Sequence, residues 1–92
     1  MNKQELYQEL KVYLLEKKIT RAAVFGSFAR NEENENSDLD LLIEAKGLTM
    51  FDILRIEDEL ASIYKRKIDL VEYKALKPSI EKHVYQDLIQ LI

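Results

Sequence analysis

Residues 22 to 44, Ala22-Ala-Val-Phe-Gly-Ser-Phe-Ala-Arg-Asn-Glu-Glu-Asn-Glu-Asn-Ser-Asp-Leu-Asp-Leu-Leu-Ile-Glu44, read as strand, Gly-Ser turn, one helical turn, polar loop and second strand. Ala22 to Phe25 is a short apolar run that stops at Gly26, as a buried strand does. Gly26 carries no Cβ, so the backbone can turn sharply there or a ligand can come close. Ser27 follows, where a hydroxyl and backbone N–H groups can face an anion at a helix start. Ten residues, 28 to 37, separate Ser27 from Asp38. Asp38 and Asp40 are two apart, so a strand puts both carboxylates on one face and Leu39 on the other. Such a pair repels itself unless a cation lies between the two. Hard divalent cations, Mg²⁺ above all, suit oxygen ligands of this kind and commonly bring substrate phosphates with them.

The totals narrow the classes. Ninety-two residues make one small domain, 1 to 92, with little room for a second core. A 47% hydrophobic and 34% charged composition suits a soluble globule and excludes a disordered chain. A net charge of −3 argues against stable nucleic-acid binding, a local basic patch aside. Cysteine is absent, which removes disulfides, thiol nucleophiles and Cys-based zinc sites. The lone His83 leaves little for His-based catalysis. No signal peptide or long apolar span appears, so the expected location is the cytoplasm, with no membrane partner.

The rest of the chain supplies framework. Residues 3 to 17 carry Leu6, Leu10, Tyr13 and Leu14 on one face of a helix, with Asn2 as N-cap and Glu5 three residues on. A first strand is expected over 19 to 25 and a second over 39 to 43. Thr49 can cap a helix over 50 to 64 whose expected buried stripe is Ile53, Ile56, Leu60, Ile63 and Tyr64. The run Lys65-Arg66-Lys67 is a solvated helix end or, alternatively, brings a cation near a nucleotide phosphate. In the third strand, 68 to 71, Asp69 sits in an apolar run. It calls for a cation or an ion partner, unless the strand is an exposed sheet edge. Pro78 opens a last helix with Ile80, Val84 and Leu88 in register, joined by Ile89, Leu91 and Ile92. That apolar ending either closes the core or serves a partner.

Gly26-Ser27, ten residues, Asp38-x-Asp40 and a later Asp69 together resemble the nucleotidyltransferase superfamily that includes DNA polymerase β. The runs Phe25-Gly-Ser-Phe-Ala-Arg30 and Ser37-Asp-Leu-Asp-Leu-Leu42 resemble its minimal nucleotidyltransferase (MNT) branch. The resemblance covers about residues 19 to 92. It implies an α/β (α+β) nucleotidyltransferase fold, a small mixed sheet of three or more strands flanked by helices. It also implies that Asp38, Asp40 and Asp69 are catalytic and bind two Mg²⁺ ions, with Asp69 helping to activate the attacking hydroxyl. Gly26, Ser27, Arg30 and Ser37 are then the nucleotide-binding residues, with Gly26 and Ser27 at the triphosphate. Arg30 alternatively pairs with the Glu32 to Glu35 loop.

The family further implies ATP as substrate and a HEPN-domain ribonuclease toxin as partner, whose tyrosine receives AMP. The chain would then be the antitoxin. A second reading keeps the partner but neutralises it by contact, with catalysis secondary. The small size implies that the acceptor site is completed by the partner or by a second copy of the chain. Nothing in the sequence reads a base.

Overall fold

The computed structural model describes residues 1–92, the side chain of Ile80 excepted, so the expected inward place of Ile80 lies outside what is described. In chain order the elements are α1 (Lys3–Glu16), β1 (Arg21–Phe25), α2 (Gly26–Ala29) and β2 (Leu39–Glu44). They continue with α3 (Met50–Tyr64), β3 (Ile68–Glu72), a 3₁₀ turn (Tyr73–Ala75), α4 (Pro78–Gln86) and β4 (Ile89–Gln90). The four strands form one mixed sheet in the order β3-β2-β1-β4. β1 lies antiparallel to both β2 and β4, and β2 lies parallel to β3. The parallel pair needs a crossover, and α3 supplies it.

Both faces of the sheet are covered, which is why β1 reads Ala-Ala-Val without alternation. Ala22, Val24, Leu39, Leu41, Ile43, Ile68 and Leu70 join Leu10 and Leu14 of α1 and Ile53, Ile56 and Leu60 of α3 in the main core. On the opposite face Ala23, Leu42 and Tyr73 form a smaller cluster under Val84, Tyr85 and Leu88. Asp40 precedes Leu42 by two positions and therefore faces the α4 side, at the end of the sheet.

The helix starts follow their caps. Asn2 accepts from the Glu5 N–H at 2.8 Å. Thr49 and Asp52 complete a reciprocal capping box at α3. Pro78 occupies the first turn of α4.

Three expectations are corrected. β1 begins at Arg21, not Ile19. Lys18 takes a left-handed conformation (φ 65°) and the Ile19 N–H reaches back to the Leu14 carbonyl at 3.0 Å, so residues 18 and 19 end α1. Ile63 is 55% exposed, because it sits roughly 60° around the helix from Leu60, on the flank of the stripe. The last helix stops at Gln86, and Ile89–Gln90 is a fourth strand paired with β1.

The Leu91 and Ile92 N–H groups both bond the Ala22 carbonyl, at 2.9 and 3.0 Å, and Leu91 is buried. The apolar ending thus closes the core. Leu91→Ala should cost about 2–3 kcal/mol in a urea titration. A loss under about 0.5 kcal/mol would mean that this segment is not part of the core. Among the described residues no helix is long and apolar enough to cross a membrane.

Candidate functional site

The site is built where three strands end together. Phe25, the last residue of β1, is paired with Asp40 of β2, and Asp40 is paired with Asp69 of β3. In a parallel pair, residues in register point to the same face, so these two carboxylates share one side of the sheet. Asp38 lies two residues before Asp40, just outside the strand. Leu39 between them is fully buried in the main core and anchors the Asp-x-Asp unit.

Gly26 follows Phe25 with φ +72°, a left-handed backbone that favours glycine. A Cβ placed there would stand 2.1 Å from Asp40 Oδ2 and 3.0 Å from its Cγ. The Asp40 carboxylate therefore occupies the space that a side chain at 26 would fill. Asp-x-Asp and Gly-Ser, separated by ten residues in sequence, are one contact in space.

Electrostatics mark Asp40 as the stressed member. Burial first, then the charges of Asp69 and Asp38, push its pKa up to about 6, against the pull of Arg30 and Lys67. Asp69 is exposed, the sheet-edge alternative of the sequence: β3 is an edge strand and alternates Ile68 in, Asp69 out, Leu70 in. It faces Asp40 across the register while keeping access to solvent.

The other expected residues take distinct positions. Arg30 caps α2 and its Nε donates to Glu32 Oε2 at 3.2 Å, the loop pairing left open by the sequence, while its charge still reaches Asp40. The Ser27 carbonyl accepts from the Glu32 N–H at 2.9 Å. The Ser37 hydroxyl oxygen accepts from the Asn34 N–H at 2.8 Å, which ties it into the loop before Asp38.

Two residues of the basic run, Arg66 and Lys67, also reach the site. Lys67 Nζ stands 3.8 Å from Asp38 Oδ2. Arg66 bonds the Asn34 and Ser37 carbonyls. The signal in sequence was their distance of two and three residues from Asp69, readable only once β3 is known to lie beside β2. Lys67→Met should raise the Asp40 titration further above about 6, followed by carboxyl ¹³C shifts against pH. An unmoved midpoint would mean that solvent screens Lys67 from the site.

The donor set suits a hard cation. All three side chains offer carboxylate oxygens, the Asp40 carboxylate packs against the Gly26 turn, and burial with the neighbouring Asp69 and Asp38 charges raises its pKa. Among the described residues no three acidic or histidine side chains are drawn onto one metal position, so the carboxylates are neighbours and not a closed cage. They lie on an open sheet end. A separate groove of about 370 Å³ is lined by Lys3, Phe28, Glu33, Asn34, Leu39 and Arg66, among others.

The model of the polymerase beta nucleotidyltransferase family matches residues 8–92. The chain belongs to that family. This nucleotidyltransferase is 30% identical over 93 residues to a provisionally named protein adenylyltransferase of Methanocaldococcus jannaschii, each chain covered in full. It is 29% identical over 72 residues to the protein adenylyltransferase MntA of Thermococcus cleftensis, covering 77% of this chain and 73% of that one. Its fold superposes with a TM-score of 0.76 on a toxin–antitoxin structure with AMP-PNP, at 26% identity over 91% of this chain and 72% of that one. The four-stranded mixed sheet with flanking helices is the nucleotidyltransferase fold.

Proposed function

We propose that this nucleotidyltransferase moves AMP from ATP onto a tyrosine hydroxyl of a HEPN-type toxin in a Mg²⁺-dependent reaction, and so acts as its antitoxin. The observation that carries the reading is the packing of the Gly26 turn against Asp40, itself in register with Asp69. The kinship with proteins named adenylyltransferases, and with a toxin–antitoxin structure holding AMP-PNP, supports the donor and the partner.

Asp38, Asp40 and Asp69 would hold two Mg²⁺ ions, which supply charge neutralisation, a lowered hydroxyl pKa and a clamp on attacking and leaving oxygens. The protein's own part is positioning. Leu39 and the β2–β3 register fix the carboxylates. The Gly26–Ser27 turn, with no side chain at its first residue, takes the triphosphate, with Arg30 at the end of the same helical turn and Ser37 in the loop before Asp38. Asp69, exposed beside the open edge, meets the incoming tyrosine and takes its proton as the new O–P bond forms and pyrophosphate leaves. The open sheet end fits an acceptor site completed by a partner.

The contact-only alternative rests on the small size and on the apolar C-terminus, of which Ile89–Gln90 pairs with β1 and Leu91 is buried. The test is intact-mass analysis of purified partner after incubation with this protein, ATP and Mg²⁺. The partner should gain one or more AMP, with no gain from Asp38→Ala/Asp40→Ala. A folded partner that gains no mass from wild type would overturn the reading.

A further inference from the structure

Arg66 touches three parts of the candidate site at once. Its Nη1 donates to the Ser37 carbonyl at 2.5 Å and to the Asn34 carbonyl at 3.2 Å. Its guanidinium carbon lies 4.9 Å from the centre of the Phe28 ring. Its backbone stands three residues before Asp69, at the head of β3. Ser37 immediately precedes Asp38, and buried Phe28 immediately follows Ser27. One side chain therefore links the segments that carry the turn, the Asp-x-Asp unit and the third carboxylate.

The loop from 31 to 37 needs such a link. Its end is otherwise held by local bonds: the Ser37 N–H to the Asn34 carbonyl, the Asn34 N–H to the Ser37 hydroxyl, and the Asn36 N–H to the Asn34 side chain. Lys3 holds the other end, donating to the Phe28 carbonyl, the Asn31 side chain and Glu33. A guanidinium can stack with its face and donate from its edge together, whereas an ammonium offers only a point charge. Its Nη1 is directed at carbonyls of the loop, an arrangement through which Arg66 can hold the backbone before Asp38.

We infer that Arg66 is a positioning residue for nucleotide transfer, holding Asp38 and the Gly26–Ser27 turn in fixed relation to Asp69. The inference rests on the transferase reading above. It is tested with the 92-residue chain carrying Arg66→Lys or Arg66→Met. Both should lower kcat about tenfold or more while the KM for ATP stays within about threefold, because misplacement of reacting groups is felt in the chemical step. Amide exchange should quicken about tenfold at Ser37 and Leu39, with Ala23 and Leu42 unchanged.

Full kcat in Arg66→Lys would overturn the inference, since charge alone would suffice. A raised KM at unchanged kcat would also overturn it, by making Arg66 a phosphate contact. Unchanged exchange at Ser37 and Leu39 would do the same. Exchange is measured on the free protein. A wild type that never transfers AMP therefore counts against the transferase reading, and exchange then decides the clamp alone.

Discussion

Asp40→Asn is expected to lower AMP transfer by about three orders of magnitude or more and, at neutral pH, to make the folded protein more stable. The first effect follows from placement. Asp40 is the carboxylate that meets both Gly26 and Asp69, and an amide loses the charge that would balance a divalent cation. The second follows from linkage. The Asp40 pKa rises on folding to about 6 from an ordinary value of 3.8, chiefly through burial and then through Asp69 and Asp38. Between those values the folded state holds a proton that the unfolded chain has released, so stability falls as pH rises from about 4 through 6.

Asp40 is only partly buried, and screening reduces the effect to about 1–2 kcal/mol above pH 6. Urea midpoints at pH 4 and pH 7.5 check this. Asp40→Asn should gain over wild type at the higher pH and lose that advantage at the lower one. Mg²⁺ should stabilise wild type at pH 7.5 more than at pH 5, because binding requires the ionised carboxylate.

Gly26→Ala should damage both fold and function. Its Cβ would fall 2.1 Å from Asp40 Oδ2, and a side chain at φ +72° is strained in any case. Backbone strain of this kind costs about 1–3 kcal/mol. Asp40 must also rotate out of the place it holds beside the turn. Transfer should fall about a hundredfold or more, and the urea midpoint should drop at every pH. Comparison with Gly47→Ala separates the two causes. Gly47 has a similar φ of +74° with nothing within 4 Å of its Cβ position, so it should lose stability without losing transfer.

Much of the fold was legible because local rules and tertiary packing agree. Asn2, Thr49 and Pro78 start helices as their side chains dictate. The Ala22 to Phe25 and Leu39 to Ile43 runs are strands because each is buried on both faces of the sheet. The errors fall where local pattern was outvoted. Leu88 continues a helical period from Val84 and Ile89 follows it, yet the free edge of β1 offers ladder bonds that a helix end does not, and β4 forms at Ile89. Ile19 has strand character but closes the α1 terminus.

The site shows the same division. The Gly26, Ser27, Asp38 and Asp40 spacing could be read because it lies within one stretch of chain. Asp69, Arg66 and Lys67 depend on β3 lying parallel to β2, a long-range pairing with no local signature. Hence the sequence leaves Asp69 open between a compensated charge and an exposed sheet edge, and the edge position is the one it takes, while the contacts of Arg66 with the loop and of Lys67 with Asp38 have no signal in the basic run itself.

Titration calorimetry of ATP into this nucleotidyltransferase, with and without Mg²⁺, measures most directly whether the carboxylates and the Gly26 turn form a metal–nucleotide site. Wild type should bind ATP only with Mg²⁺, and Asp38→Ala/Asp40→Ala should lose that binding while keeping its fold. Equal binding by the variant, or binding indifferent to Mg²⁺, would contradict the assignment of the site to these residues.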